Sequence, residues 1–186
     1  MTVAGREEEG DGRPSGPRSI FLVGFMGAGK SSAGAALARE LGLAFEDTDE
    51  LVESAEGRSI ERIFAESGET YFRGAEWDAL SRLDTAPGLV VACGGGLFSA
   101  QATRRWLAAR GRTVWLDVPL AIVRARLARD HARRPPWRAD DPVGQRALFE
   151  RRRATYALAA VRVDGAVGSP DEVARRIRDR LREVPC

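Results

Sequence analysis

Lysine occurs once in this chain, at position 30, and the other 28 basic residues are arginine. The single ammonium stands in Gly24-Phe25-Met26-Gly27-Ala28-Gly29-Lys30-Ser31. This run fits Gly-x-x-x-x-Gly-Lys-Ser/Thr, the pattern of a loop that cradles phosphates. A compact ammonium on a flexible stem does there what a planar guanidinium fork does poorly. The pattern turns backbone N–H groups of Gly27, Ala28, Gly29, Lys30, Ser31 and Ser32 toward a nucleotide, with the positive end of the next helix behind them. Lys30 reaches the β- and γ-phosphates of ATP, and the Ser31 hydroxyl can ligate Mg2+.

Two further features carry chemistry. Asp47-Thr48-Asp49 follows the short apolar run Leu43-Ala44-Phe45, and Gly94-Gly95-Gly96 follows Leu89-Val90-Val91-Ala92-Cys93. Phosphoryl transfer needs a nucleotide cradle, a magnesium ligand or its water-holder, and a group that orients or deprotonates the acceptor. Asp47 and Asp49 can divide the last two roles. Three glycines directly after a buried strand suit close approach of backbone to a ligand.

The elements that must position these residues follow from periodicity. Ile20-Phe21-Leu22-Val23 reads as a buried strand. Residues 32–41 read as a helix, with Ala33, Leu37 and Leu41 at i, i+4 and i+8. Helices are expected at about 49–56, 60–67, 69–83, 99–109, 119–129 and 142–159. Ser59 is a candidate cap, and Thr113-Val114-Trp115-Leu116 and Val161-Arg162-Val163 are further strands. Ser169, Pro170 and Glu172 form a capping-box start for a last helix, whose buried stripe is Val173, Ile177 and Leu181. Short apolar strands alternating with helices imply an α/β fold, a parallel sheet covered on both faces. Ligands in such sheets bind beyond the carboxyl ends of the strands, where all three features lie.

Composition limits the rest. The 186 residues suit one domain, and a chain of this size buries roughly 70% of its unfolded surface. A net charge of +2 gives little support to nucleic-acid binding. No apolar run reaches a membrane-spanning length of about 18 residues. Cys93 and Cys186 have neither metal-site spacing nor a disulfide framework, which fits a reducing cytoplasmic setting. Residues 1–18 are rich in glycine, proline and glutamate and read as a disordered tail before one domain at 19–186.

Set in order, these motifs resemble those of the shikimate kinases. The resemblance runs through Ile20 to Ser32, Asp47-Thr48-Asp49-Glu50-Leu51, Ser59-Ile60 with Ile63-Phe64, and Gly68-Glu69 with Phe72-Arg73. It continues through Gly94-Gly95-Gly96, Arg134-Pro135, Arg152 with Tyr156, and Val163-Asp164, so that it covers about residues 19–180. It implies a three-layer α/β/α fold of the P-loop NTPase, nucleoside monophosphate kinase-like type. The sheet would be five-stranded and parallel, with a mobile lid at about 130–141. The implied activity is ATP-dependent phosphorylation of the shikimate 3-hydroxyl by a cytoplasmic monomer with no nucleic-acid or membrane partner.

The resemblance also implies roles. Ser31 would ligate Mg2+ and Asp47 would hold it through water. Asp49 would bind the acceptor hydroxyls and act as base. Arg73 and Arg152 would clamp the shikimate carboxylate, with the backbone of Gly94, Gly95 and Gly96 against the ring. Arg134, from the lid, would reach the transferring phosphate, and Arg129 and the segment near Pro170 would flank adenine. A small carboxylate suits bidentate guanidinium donors, and a loose transition state suits a lid arginine. Arg151 and Arg153 flank Arg152, and Arg133 flanks Arg134, so neighbouring registers stay open.

The chain departs from the family pattern at Pro136-Trp137, where aliphatic residues are usual, at Ser32 for threonine, and at Thr155 for leucine. Trp77 reads as core or as a pocket wall. Asp117 reads as structural, and His131 is assigned no catalytic role. Competing readings are a kinase of the same fold acting on gluconate or a shikimate-like cyclitol, and a catalytically silent nucleotide-binding module. The clamp argues against neutral cyclitols, and the Asp47-Thr48-Asp49 context argues against gluconate. Intact Lys30, Ser31, Asp47 and Asp49 argue against a silent module.

Overall fold

Five strands, β1 (Ser19–Val23), β2 (Ala44–Asp47), β3 (Leu89–Ala92), β4 (Gly111–Asp117) and β5 (Val161–Asp164), form one sheet in the order β2-β3-β1-β4-β5. Every pairing is parallel. The computed structural model describes residues 18–85, 88–129, 137 and 140–184. Among the described residues, seven α-helices connect and follow these strands: α1 (Lys30–Leu41), α2 (Thr48–Glu56), α3 (Ile60–Ser81), α4 (Gln101–Arg110), α5 (Leu120–Leu127), α6 (Pro142–Tyr156) and α7 (Pro170–Glu183).

The chain leaves β1, steps over the place of β3 to lay down β2, and then works back across the sheet. Parallel crossovers are right-handed, so this reversal puts α1 on one face and the later crossover helices on the other. Helix α7 packs beside α1. The point of reversal lies between β1 and β3, and the phosphate loop and the glycine run both emerge there.

Local chemistry sets the helix ends. The Asp47 side chain caps α2 by accepting from Asp49 N, and Ser59 caps α3 through Arg62 N. Ser169 and Glu172 form the expected reciprocal capping box at α7. The helices expected at 60–67 and 69–83 run on as one element broken at Gly68, whose φ of 79° few other residues adopt.

The core lies against the sheet, where Leu22, Val90, Val91, Val114, Leu37 and Ile177 are completely or almost completely buried. Two expected stripe positions differ. Leu41 ends α1 exposed, and Leu181 is only partly buried; each lies in the last turn of its helix. No helix among the described residues is long and apolar enough to cross a membrane. All but the last residue of the tail expected at 1–18 and most of the lid expected at 130–141 lie outside the described residues.

Candidate active site

Strand β1 ends directly in the phosphate loop, and α1 begins at Lys30 itself. Gly29 takes φ 90° at the N-cap, so the chain turns sharply enough to aim the first helical N–H groups back into the loop. Lys30 Nζ donates to the carbonyls of Gly24 and Phe25, each at 3.1 Å. The ammonium therefore lies across the mouth of its own loop.

Ser31 Oγ donates to Asp47 Oδ2 at 2.6 Å. The other oxygen, Oδ1, accepts from Asp49 N at 2.9 Å. Asp47 thus caps α2 with one oxygen and faces the nucleotide loop with the other. A hydroxyl and a carboxylate in contact at a phosphate loop suit Mg2+, which keeps several waters and takes only one or two protein oxygens besides phosphate. The described residues hold no cluster of three or more His, Cys, Asp or Glu side chains of the kind a protein-only metal cage needs.

On the outer side of the loop, a cavity of about 260 Å³ is lined by Ala28, Gly29, Ser32, Pro170 and Arg126. Arg126 Nη1 donates to the carbonyls of Gly27 and Ala28 at 3.3 and 3.1 Å, and Nη2 to those of Gly165 and Ala166 at 3.0 and 3.1 Å. This guanidinium ties the phosphate loop to the turn before α7. Arg129, expected to flank adenine with the segment near Pro170, is exposed in the turn after α5 and does not line this cavity. Arg126 sits inside α5, about one helical turn earlier, on the side that faces the loop.

On the inner side, a cavity of about 380 Å³ brings together Ser31, Asp47, Asp49, Arg73, Gly95, Gly96 and Arg152. These come from α1, β2, α2, α3, the turn after β3 and α6. Gly94 N donates to Thr48 Oγ1 at 2.7 Å, which holds the glycine run against α2. A Cβ on Gly94 would lie 2.7 Å from Asp49 Oδ1, and one on Gly96 would lie 2.6 Å from Arg73 Cζ. Glycine at these positions is what lets the acid and the guanidinium reach the backbone. Tyr156 donates its hydroxyl to the Gly95 carbonyl and fixes the run from the other side.

Arg152 is 7% exposed, its guanidinium 5.7 Å from the Phe25 ring centroid. Burial, with Arg73 nearby, lowers its pKa from the usual guanidinium value. Its neighbours diverge. Arg151 lines an adjoining cavity of about 730 Å³, and Arg153 lies 3.6 Å from Asp117. Asp117 also pairs with Arg162. Trp77 is 36% exposed, meets Trp106 edge-on at 6.2 Å and is the wall of a cavity of about 200 Å³ that Arg73, Glu76 and Gly96 also line.

Sequence reasoning missed Glu76. It is 1% exposed, pairs with Arg73 and lines the inner cavity. Burial pushes its carboxyl up to about 7, against the opposing pull of Arg73. Its spacing of i+3 from Arg73 was the available signal. Arg134, Arg133, Pro135, Pro136 and His131 lie outside the described residues. Trp137 is half-buried and meets Phe25 edge-on at 6.0 Å.

A parallel sheet with this reversal, a phosphate loop opening α1 and a polar acceptor cavity beside it define the class of P-loop phosphotransferases. Comparison with known proteins is more specific. The family profile described as shikimate kinase matches residues 26–182. A shikimate kinase of Persephonella marina is 39% identical over 165 residues, covering 89% of this chain and 99% of its own. A shikimate kinase of Acinetobacter baumannii, solved in complex with shikimate, superposes with a TM-score of 0.84 at 33% identity, over 90% of this chain and 94% of its own. A gluconokinase of Sinorhizobium meliloti reaches a TM-score of 0.60 at 22% identity, over 90% of this chain and 93% of its own, and shares the fold alone. The chain belongs to the shikimate kinase family.

Proposed function

We propose that this protein transfers the γ-phosphoryl group of ATP to the 3-hydroxyl of shikimate, giving shikimate 3-phosphate and ADP. The observation that carries this reading is the convergence of Arg73, Arg152 and Asp49 on one cavity floored by Gly95 and Gly96, with Ser31 and Asp47 at its nucleotide end. Two guanidiniums lining a cavity of about 380 Å³ suit a small monocarboxylate, and an aspartate lining the same cavity suits its hydroxyls.

Asp49 is positioned by its own backbone, because its N–H is bound to Asp47 at the cap of α2. It orients the acceptor hydroxyl and takes its proton as the oxygen attacks phosphorus. Lys30 stays near the bridging and γ-oxygens and offsets the charge that develops there. Ser31 and Asp47 would hold Mg2+, which when bound would supply charge neutralisation at the phosphates. Arg126 keeps the nucleotide loop and the turn before Pro170 at a fixed separation, consistent with a slot for the adenine ring. Arg134, reaching in from the lid, would complete the charge around the transferring group. The protein acts as a cytoplasmic monomer in this reading, with no nucleic-acid or membrane partner.

The test is a coupled ADP-release assay with shikimate, gluconate or no acceptor. ADP release that depends on shikimate alone supports the reading. Equal rates with gluconate would sink the shikimate assignment, and no release with any acceptor would leave only a nucleotide-binding role.

A further inference from the structure

Thr103 is a buried hydroxyl with nothing in the chain to bond. It is 4% exposed in the first turn of α4, and among the described residues its Oγ1 has no hydrogen-bond partner. Most buried polar side chains are paired, and one that is not points to a partner from outside the chain. Thr103 lines the cavity of about 200 Å³ between α3 and α4 whose wall is Trp77. Arg73 and Gly96 line both this side cavity and the acceptor cavity. We propose that the side cavity is a binding site for a small neutral aromatic alcohol, one ring with one hydroxyl, and that its occupant is coupled to the acceptor through Arg73 and Gly96.

The walls set the ligand class. A cavity of about 150 Å³ holds benzene, so about 200 Å³ takes one ring and a small substituent. Trp77 offers an aromatic surface and Leu97 a buried apolar one, and ring contacts with an indole are worth more than the same area of saturated carbon. Trp77 is partly exposed, and Ala100 and Ala102 are exposed, so the cavity opens to solvent. The charged groups that line it, Arg73 and Glu76, are paired with each other. A carboxylate would meet Glu76 and an ammonium would meet Arg73, so an ion of either sign is rejected. A hydroxyl can donate to Thr103 Oγ1 or accept from it, and so satisfies it in either rotamer.

The coupling follows from the shared wall. Trp77 stands one helical turn after Arg73, so the indole and the guanidinium lie on one face of α3. Gly96 puts no side chain between the two cavities, and a Cβ there would lie 2.6 Å from Arg73 Cζ. A ring seated beside Trp77 therefore rests on a guanidinium that the acceptor cavity also uses. Whatever factor the ring imposes on acceptor affinity, the acceptor must impose on the ring. The coupling rests on the acceptor reading above, whereas the site itself does not.

The probe is para-fluorophenol, titrated against the full chain and followed by fluorine NMR. Wild type should bind it with a Kd of roughly millimolar order, as a ligand of so few atoms allows. Fluorobenzene, which lacks the hydroxyl, should bind about three- to tenfold more weakly, the worth of one hydrogen bond. Thr103→Val keeps the shape and removes the hydroxyl. It should bind both probes alike, with a melting temperature at or above that of wild type. Ala102→Leu should fill the cavity and abolish binding of both. Cyclohexanol should displace the probe far less well than phenol does. Saturating shikimate should change the probe's Kd by about twofold or more, and the probe should change the Kd of shikimate by the same factor. Equal wild-type affinity for the two fluorinated probes, or undiminished binding in Ala102→Leu, overturns the site. So does a lowered melting temperature in Thr103→Val, which would show the hydroxyl to be paired within the protein. Equal displacement by cyclohexanol and phenol overturns the aromatic class. A probe Kd indifferent to shikimate, in a protein that turns shikimate over, overturns the coupling alone. No turnover of shikimate sinks the acceptor reading and the coupling with it, while the two probes still decide the site.

Discussion

Ser31 Oγ and Asp47 Oδ2 are 2.6 Å apart, although 16 residues separate them in the chain. The bond joins the first turn of α1 to the carboxyl end of β2. It makes the nucleotide loop and the cap of α2 a single unit, so a change at Asp47 reaches both the metal side and the backbone of Asp49.

Asp47→Asn should therefore raise the Mg2+ concentration needed for half-maximal rate. Asp49→Asn should leave that requirement alone and lower kcat by about 10²–10⁴-fold, the usual worth of a general base. Magnesium titrations of kcat for both variants check this. Identical curves would end the division of labour between the two acids.

Lys30 tests the nucleotide loop. Its Nζ already sits on the Gly24 and Phe25 carbonyls, a spacing set by one thin stem. Lys30→Ala and Lys30→Arg should each cut kcat by about 10² or more while circular dichroism and the melting temperature stay near wild type. Near-normal turnover by a well-folded Lys30→Arg enzyme would refute the phosphate-loop role.

Arg126 and Arg129 make opposite predictions. Arg126 joins four carbonyls on two sides of the nucleotide cavity, so Arg126→Ala should raise KM for ATP about tenfold with KM for shikimate little changed. Arg129→Ala should be close to neutral in both. The reverse pattern would restore Arg129 as the residue beside the base.

The glycine run predicts a steric effect. Gly96→Ala puts a methyl group 2.6 Å from Arg73 Cζ, and Gly94→Ala puts one 2.7 Å from Asp49 Oδ1. The first should raise KM for shikimate, and the second should lower kcat. Each should destabilise the fold by about 1–3 kcal/mol, as overpacking does. Thermal melts alongside steady-state kinetics decide, and wild-type kinetics in both variants would show that the backbone there does not bear on the acceptor.

Glu76 also predicts a slope of stability with pH. Its folded pKa is about 7 against an ordinary carboxylate value of 4.5, so between these values the folded state holds more protons than the unfolded chain. Its contribution is full below about 4.5 and is lost as pH rises through about 7. Melting temperatures measured from pH 4.5 to 8 should therefore decline less steeply in Glu76→Gln than in wild type. Parallel curves would mean that Glu76 titrates as an ordinary surface acid.

Much of the site was legible in the sequence because it is local. The phosphate loop, the Asp47-x-Asp49 cap and the Ser169 capping box each act within a few residues, where backbone geometry and side-chain reach follow from spacing alone. Alternation of short apolar runs with helical periods was enough for a parallel sheet, because strands buried on both faces must be apolar throughout. The tertiary structure decided what depends on long-range approach. Arg152 faces the cavity while Arg151 and Arg153 turn away, since the angle at which α6 meets the sheet selects one of three consecutive arginines. Arg126 joins the phosphate loop to the turn before α7 because the packing of α5 on the loop, which no local spacing sets, decides which side chain meets those carbonyls. Glu76 was invisible as chemistry in a chain with 27 acidic residues; only burial between Arg73 and the Gly94 backbone distinguishes it from a solvated helix charge.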